Sequence, residues 1–275
     1  MPHDDYDDIA WSEDSLPRDL KIDEVKEWLI SDLFTNDAGG VFYQRQIEVR
    51  YERKFFHWIT GKALNELAEE GKIGAATRKY PHISIRFYWM RKNRYWTRRA
   101  NTVEKLVMRF SDPQFTNGLG RHGETMFDAA LPRGGFMPCA KNVKAWNGKA
   151  WLKTDHDLDR VFTRDGVNYG IEIKNTLSYI DRFEMRTKLD MCDFLGLVPL
   201  FIMRMAPASY IEEIRSRGGY SLIFEWQLYP FGYEKFAAEV REQLGLKVDS
   251  PRAIQEGTIQ RVANWHEARL RAKNK

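Results

Sequence analysis

The sequence has only two cysteines, Cys139 and Cys192, among its 275 residues. Two thiols are too few for a disulfide framework or for a four-thiolate zinc site. The chain also lacks any run of 18 apolar residues, and residues 1–8 are acidic where a secretory signal would be basic and then apolar. These absences predict a cytoplasmic protein with no membrane span and no structural zinc.

The net charge of +4 hides a strong asymmetry along the chain. Residues 1–24 hold nine acidic side chains and two basic ones, and we interpret residues 1–20 as an acidic tail exposed to solvent. Residues 43–99 hold fourteen Lys or Arg against five Glu, with aromatic residues interleaved. A basic segment of this kind favours a polyanion as the partner.

Residues 21–100 predict a small domain of three helices followed by a two-stranded hairpin. The third helix is expected over residues 59–70, where apolar residues recur at helical spacing, and the strands over residues 73–79 and 83–89. This order resembles winged-helix DNA-binding domains. The resemblance implies contact between this domain and DNA, although a protein-binding module or a solvated basic face would show the same charge.

The positive charge of this segment lies mainly on the hairpin and just after it. Only one base, Lys62, lies on the predicted third helix. Three glutamates near the end of that helix, Glu66, Glu69 and Glu70, would repel phosphate. We therefore expect the hairpin to dominate contact with nucleic acid. The residues predicted to bind nucleic acid are Lys62, Arg78, Lys79, Arg86, Arg91, Lys92, Arg94, Arg98 and Arg99.

Residues 101–248 alternate strands with helices, which predicts a second domain built around a central sheet. Residues 249–275 are expected to form one more helix, which is basic. The predicted fold class is therefore α/β, with a mixed central sheet flanked by helices that follows the winged-helix-like α+β domain.

Three short segments of the second domain carry the charged side chains from which a single metal-binding site could be built. Glu124 lies at the start of a helix predicted over residues 123–131, and Asp159 lies on a predicted strand. On the next strand, alternation turns Glu172 and Lys174 to the same face, a pattern that a solvated sheet face would also show. A turn at residues 164–168 would set Asp159 beside Glu172 on strands about 4.8 Å apart, which suits two carboxylates sharing a divalent ion.

This arrangement resembles the PD-(D/E)XK nuclease superfamily, which includes restriction endonucleases, Holliday junction resolvases and RecB-like nucleases. The resemblance covers residues 120–204. Asp159 matches the first motif aspartate, and residues 172–175 match the second motif, with glutamate in the variable acidic position. Leu158 stands where the family usually has proline, and Asp157, which has the same strand parity, is the alternative to Asp159.

The resemblance implies a restriction-endonuclease-like fold and hydrolysis of phosphodiester bonds with Mg²⁺, for which Mn²⁺ substitutes. The implied metal ligands are Asp159, Glu172, the backbone carbonyl of Ile173 and, directly or through water, Glu124. Lys174 would orient the attacking water and stabilise the transition state. The expected partner is duplex or branched DNA, and a double-strand cut with one metal centre per chain would call for a homodimer.

Two other functions are compatible with these residues: a DNA-binding or regulatory protein whose nuclease fold has no activity, and a nuclease that cleaves RNA. Near the proposed site, Glu184 and Lys188 are four residues apart on a predicted helix, which is typical of a surface ion pair. Some nucleases of this superfamily complete the site from this helix, which makes Lys188 a secondary candidate. His122 and His156 lack a second histidine at ligand spacing, so neither is expected to bind metal.

Overall fold

A computed structural model describes residues 20–273, with side chains for residues 21–272. The chain divides into two compact units. Within the described residues, unit 1 comprises residues 20–78 and 85–100, and unit 2 comprises residues 79–84 and 101–273. The acidic segment predicted at residues 1–20 lies outside the described part of the chain apart from Leu20.

Unit 1 contains three helices and a three-stranded sheet, in the order helix, strand, helix, helix, strand, strand. A π-helical turn at Leu29–Thr35 extends the first helix. The sheet order is β1-β3-β2, with β1 antiparallel to β3. The elements are α1 (Leu20–Trp28), β1 (Val41–Tyr43), α2 (Gln44–Tyr51), α3 (His57–Glu69), β2 (Ile73–Tyr80) and β3 (Ile83–Met90). The predicted third helix and both hairpin strands are confirmed to within about two residues at each end.

The core of unit 1 forms because α1 and α3 each bury one apolar face. Val25 and Leu29 recur at the spacing of one helical turn, as do Leu64 and Leu67 on α3, and all four belong to one buried cluster. Lys26 of α1 is an exception to this apolar burial, because it is buried and pairs with Glu66 and Glu70 near the end of α3.

Unit 2 is built around a five-stranded mixed sheet in the order β10-β9-β8-β7-β4. β7 runs antiparallel to both of its neighbours, β4 and β8, whereas β8, β9 and β10 run parallel to one another. The helices from α4 onward are α4 (Trp96–Phe110), α5 (Pro113–Ala130), α6 (Arg182–Leu195), α7 (Ala208–Ser216), α8 (Glu234–Leu244) and α9 (Glu256–Lys273). The strands are β4 (Met137–Val143), β5 (Ala145–Trp146), β6 (Lys149–Ala150), β7 (Leu158–Arg164), β8 (Val167–Lys174), β9 (Val198–Met203), β10 (Tyr220–Ile223), β11 (Gln227–Leu228) and β12 (Val248–Asp249). The prediction of an α/β fold with a mixed sheet flanked by helices is confirmed.

Helices α5 and α6 pack against opposite faces of the sheet, as the alternation of side chains along the strands requires. Phe162 and Ile173 share a buried cluster with Phe127 of α5. Val161, one residue before Phe162, shares a different cluster with Met191 of α6. Successive strand residues point to opposite faces, so residues with the parity of Val161 on β7 face α6.

Helix α5 begins ten residues before the predicted start at Gly123. Pro113 opens it, and the Asp112 carboxylate caps it by accepting hydrogen bonds from the backbone N–H groups of Gln114 and Phe115. Gly123 lies where α5 approaches the end of β8, and a Cβ atom at this position would lie 2.7 Å from the Cβ of Asn175.

The predicted basic helix in residues 249–275 is α9, which packs into the core of unit 2. Ile259 and Val262 belong to the same buried cluster as Phe162. His266 is fully buried, with Nδ1 2.5 Å from the Tyr169 hydroxyl and Nε2 2.9 Å from the Asp165 carboxylate. No helix within residues 20–273 has the length and apolar character needed to cross a membrane.

Candidate active site

A cleft of about 390 Å³ lies beside the α6 face of β7 and β8. The side chains of Asp159, Glu172 and Lys174, three of the predicted catalytic residues, lie together in it. The lining residues are Asp155, His156, Asp157, Asp159, Glu172, Lys174, Glu184 and Lys188. Strand alternation explains the grouping. Asp159 is two residues before Val161 and so points to the same face, toward α6. Glu172 and Lys174 alternate with apolar residues that face α5, so they also point toward α6.

The β7–β8 hairpin brings the two motif carboxylates together. Arg160 pairs with Ile171 in its antiparallel register, and continuing the register by one residue sets Asp159 opposite Glu172. The hairpin closes at Asp165 and Gly166, whose φ angles of 48° and 73° are the positive values that a type I′ turn requires. Asp159 Oδ2 also accepts a hydrogen bond of 2.7 Å from the backbone N–H of Ile173.

The Glu172 carboxylate is fully buried between two lysines. Lys174 Nζ lies 3.0 Å from Oε1, and Lys188 Nζ lies 2.7 Å from Oε2. Neither oxygen receives a hydrogen bond of favourable geometry from the described residues, so charge attraction is the main interaction that compensates for burial. Glu172 is therefore an anionic centre that depends on nearby cations.

Helix α6 contributes two further side chains, Glu184 and Lys188, of which only Lys188 was a secondary candidate from the sequence. Lys174 Nζ donates a hydrogen bond of 2.7 Å to Glu184 Oε1. Lys188 is buried and donates to the backbone oxygen of Asp157 in addition to its ion pair with Glu172. The interpretation of Glu184 and Lys188 as a surface ion pair is wrong, because each is bound to β8. The signal available in the sequence was the amphipathic pattern of α6, whose buried residues include Lys188.

The charges in the cleft shift two pKa values in ways that bear on chemistry. Burial raises the pKa of Asp159 to about 7; the charge of Glu172 adds to the shift, and the hydrogen bond from Ile173 opposes it. Burial acts to lower the pKa of Lys174, but the carboxylates of Glu172 and Glu184 outweigh it and raise that pKa. Lys174 is therefore an ammonium group at neutral pH. We call Asp159, Glu172, Lys174, Glu184 and Lys188 the cleft cluster.

Glu124 belongs to a second group of charges, which includes a side chain on the opposite face of β7. Its Oε2 accepts a hydrogen bond of 2.8 Å from Arg160, whose Nε donates to Asp128 at the same distance. Asp128 also accepts a hydrogen bond from Lys141. We call Glu124, Asp128, Lys141 and Arg160 the Arg160 cluster. The structure brings Asp159, Glu172 and Lys174 together in the cleft, and Glu124 does not line it.

The cleft offers oxygen donors, the ligand type that a hard divalent cation prefers, but both oxygens of Glu172 lie against lysines. In the cleft cluster three carboxylates face two lysines, and burial, with a smaller contribution from the charge of Glu172, raises the pKa of Asp159. Asp159 and Glu172 supply the carboxylate oxygens. Within residues 20–273 no group of three or more His, Cys, Asp or Glu side chains is arranged to hold a metal ion. An ion held here would retain several water ligands, as Mg²⁺ usually does.

The two histidines near the site differ in position. His156 lines the cleft, and its Nδ1 lies 3.1 Å from the Thr154 hydroxyl. His122 lies on α5, where burial lowers its pKa. Neither forms part of a group of potential metal ligands within the described residues.

The basic residues predicted to bind nucleic acid fall into two classes of exposure. Arg78 and Arg86 are half-buried, with guanidinium groups 5.5 Å and 5.6 Å from the ring centroids of Phe87 and Tyr88. The other seven are exposed: Lys62, Lys79, Arg91, Lys92, Arg94, Arg98 and Arg99. The exposed bases are concentrated after β3, in residues 91–99, where Tyr95 is also 77% exposed.

Comparison of the chain with protein-family models, curated proteins and solved structures found no match.

Proposed function

We propose that the protein is a divalent-metal-dependent nuclease of the PD-(D/E)XK type that hydrolyses phosphodiester bonds in DNA. The observation that carries the proposal is the cleft cluster, in which Asp159 and Glu172 lie opposite each other and share one cleft with two lysines. The order of α5, the antiparallel strands β4, β7 and β8, and then α6 and β9 supports a restriction-endonuclease-like core.

The roles of the chain's own residues follow from their environments. Asp159, Glu172 and the backbone carbonyl of Ile173 would hold Mg²⁺ or Mn²⁺, which would supply an activated water and neutralise charge on the scissile phosphate. Lys174 is a permanent cation in this setting, so it acts by orienting the water and by stabilising the negative charge of the pentacovalent transition state. It is not a general base, because its pKa is raised.

Lys188 supports this site by holding Glu172 from the side opposite Lys174. Its ammonium group is buried and spans Glu172 Oε2 and the backbone oxygen of Asp157. This contact orients the carboxylate and fixes the segment that leads into β7. Glu124 would act as a ligand only after releasing Arg160, and its predicted role therefore stays secondary in the proposal.

Unit 1 is the proposed nucleic-acid-binding module, of winged-helix type. Its order of helices and strands and its sheet order β1-β3-β2 support this assignment. The exposed bases in residues 91–99, with Tyr95 among them, suit contact with a phosphate backbone. An inactive DNA-binding protein and an RNA nuclease are the alternatives, and the pairing of cationic and anionic groups around Glu172 favours an active site over an inactive one.

The decisive experiment is a cleavage assay on the full chain with Mg²⁺ or Mn²⁺. The substrates are labelled duplex DNA, branched DNA, single-stranded DNA and RNA. We expect Asp159→Asn and Lys174→Ala to lower the cleavage rate by about 10²- to 10³-fold, because each removes charge that acts in the transition state. Lys235→Ala, which changes an exposed lysine on α8, is the matched control and should cleave normally.

Three results would contradict the proposal. They are a wild-type protein that leaves every substrate intact with both metals, a Lys174→Ala protein that cleaves as fast as wild type, and variants that lose binding instead of cleavage. Cleavage of RNA alone would favour the alternative substrate over DNA.

The role of unit 1 is tested by the salt dependence of binding. Each phosphate contact contributes about 0.9 to the slope of log affinity against log salt on duplex DNA. The double variant Arg94→Ala/Arg98→Ala should therefore reduce that slope by up to about 1.8. Arg271→Ala, an exposed base on α9, should leave the slope unchanged, and an unchanged slope in the double variant would remove these two residues from the interface.

A further inference from the structure

We propose that Phe183, supported by the ring of His156, is a stacking site for an unpaired nucleobase at the edge of the cleft. The inference rests on the proposed nuclease function and deepens it, because it names the substrate class: nucleic acid with unpaired nucleotides next to the scissile phosphate. Single-stranded DNA, flapped DNA and single-stranded RNA share this chemistry.

Phe183 is a large apolar side chain left open to solvent at the cleft. It is 66% exposed, although it lies in the first turn of α6 directly before the cleft residue Glu184. The Asp181 carboxylate caps this helix by accepting a hydrogen bond of 2.9 Å from the backbone N–H of Glu184. The backbone that carries Phe183 is therefore held in place while its ring is not covered by the described residues.

The ring of His156 is positioned against Phe183 by its own contacts. The two ring centroids are 6.2 Å apart at an interplanar angle of 65°, which is an edge-to-face arrangement. Thr154 holds the histidine through its hydroxyl, which also accepts a hydrogen bond of 3.0 Å from Nε1 of the buried Trp151. His156 itself lines the cleft, so the pair of rings connects the exposed Phe183 to the charged residues of the cleft.

A nucleobase is the occupant that these features favour. The face of an aromatic ring stacks on any base, and the adjacent cleft is where the proposed metal site would hold the phosphate of the same nucleotide. Bases in a duplex are already stacked within the helix, so Phe183 would reach a base only where the strand is unpaired.

Binding is measured on the full chain in EDTA, where no divalent ion supports hydrolysis. Labelled duplex DNA, single-stranded DNA, flapped DNA and single-stranded RNA are compared, and 2-aminopurine in the flap reports stacking through fluorescence quenching. We expect Phe183→Ala to weaken binding of the three unpaired substrates by about 5- to 100-fold and to abolish the quenching. Duplex binding should stay within about twofold of wild type, since no unpaired base is offered.

Phe231→Ala is the matched control. Phe231 is 56% exposed and makes a similar edge-to-face contact with a histidine, His122, which does not line the cleft. This variant should bind all substrates as wild type does. Phe183→Tyr keeps an aromatic face and should retain affinity and quenching, whereas Phe183→Leu keeps apolar bulk only and should lose both.

The inference is overturned if Phe183→Ala changes duplex and unpaired binding equally, if Phe183→Leu behaves as wild type, or if Phe231→Ala causes the same loss. It is also overturned if sedimentation shows that Phe183→Ala dissociates a self-associated wild-type protein, because the ring would then cover a second copy of the chain. Failure of the nuclease function gives a different result: no substrate is cleaved with Mg²⁺ or Mn²⁺, while stacking is still detected in EDTA.

Discussion

The cleft cluster and the Arg160 cluster both involve strand β7, and they compensate charge in different ways. In the Arg160 cluster, two cations face two carboxylates, and hydrogen bonds of 2.8 Å join Arg160 to Glu124 and to Asp128. In the cleft cluster, three carboxylates face two lysines, and the buried oxygens of Glu172 lack hydrogen bonds of favourable geometry from the described residues. The first group is neutral and internally satisfied, whereas the second carries an excess of negative charge once Asp159, whose pKa is about 7, has lost its proton.

This difference is what we expect between a cluster with a structural role, the Arg160 cluster, and a cluster that binds a cation, the cleft cluster. A balanced, hydrogen-bonded set of charges gains nothing from an added ion. A set with excess buried negative charge destabilises the metal-free protein and is relieved when a cation binds. The four predictions below test this contrast, from the largest expected effect to the smallest.

The largest effect is expected in the pH dependence of stability. The pKa of Asp159 is about 7 in the folded protein and about 3.9 in an unfolded chain, so the folded state binds more protons between these values. The Asp159 contribution to stability is therefore present below about pH 4 and lost as the pH rises through about 7, at a cost of up to about 4 kcal/mol. Urea unfolding in EDTA should show Asp159→Asn more stable than wild type at about pH 8, and equal stability there would contradict the prediction.

Asp128 provides the opposite case in the same measurement. Burial acts to raise its pKa, but the hydrogen bonds from Arg160 and Lys141 outweigh it and lower that pKa. Its contribution to stability is present above the unfolded value and is lost as the pH falls through the folded one. Asp128→Asn should therefore destabilise the protein at about pH 8 and have less effect in acid.

The second prediction concerns the removal of Arg160. Arg160→Met leaves the carboxylates of Glu124 and Asp128 without their main partner, and the arginine side chain is only 7% exposed. We expect a loss of about 3 kcal/mol in the free energy of unfolding, at the lower end for a broken buried ion pair because both carboxylates are partly exposed. Addition of Mn²⁺ should not restore the loss relative to wild type, and selective rescue by Mn²⁺ would show that this cluster also binds metal.

The third prediction is stabilisation of the wild-type protein by a divalent ion. A ligand present at 100 times its Kd stabilises the folded state by about 2.7 kcal/mol. We expect thermal unfolding to show this shift with Mn²⁺ for wild type and not for Asp159→Asn. Asp157→Asn should keep most of the shift, because Asp157 lies at the edge of the cluster, with Oδ1 4.0 Å from Lys188. A larger loss in Asp157→Asn than in Asp159→Asn would assign the motif aspartate to position 157.

The smallest effect is expected for Glu124→Gln. The amide keeps one acceptor for Arg160 but loses the negative charge, so we expect about 1 kcal/mol of destabilisation. The Mn²⁺ affinity, measured by isothermal titration, should stay within about threefold of wild type because Glu124 does not line the cleft. A tenfold or greater loss of affinity would establish Glu124 as a ligand after all.

The part of the site that lies on the β7–β8 hairpin could be predicted from the sequence, because a turn and strand alternation are local features. The Asp165-Gly166 turn and the alternation along β8 were enough to place Asp159, Glu172 and Lys174 on one face. Contacts between side chains that are distant in the sequence could not be predicted in the same way. The i, i+4 spacing of Glu184 and Lys188 predicts contact between them, and only the packing of α6 on the sheet shows that each binds a residue of β8.

The start of α5 was missed for a different reason. Gly118, Gly120 and Gly123 argue against a helix by propensity, but tertiary packing stabilises it and Asp112-Pro113 supplies the cap and first turn. The cap was visible in the sequence and would have predicted the helix start correctly. The ion pair that holds Glu124 was not visible, because Arg160 is 36 residues away along the chain.

The close approach of Gly123 to Asn175 sets a limit on how this protein can change. Asn175 follows Lys174 directly, and its buried amide donates to the backbone oxygens of Leu119 and Leu228. Any side chain at position 123 would push α5 away from the end of β8 and strain those two bonds. The absence of a side chain at Gly123 therefore sets how closely α5 packs against the end of β8. We expect natural variation at this position to be tolerated only together with a shift of the whole helix.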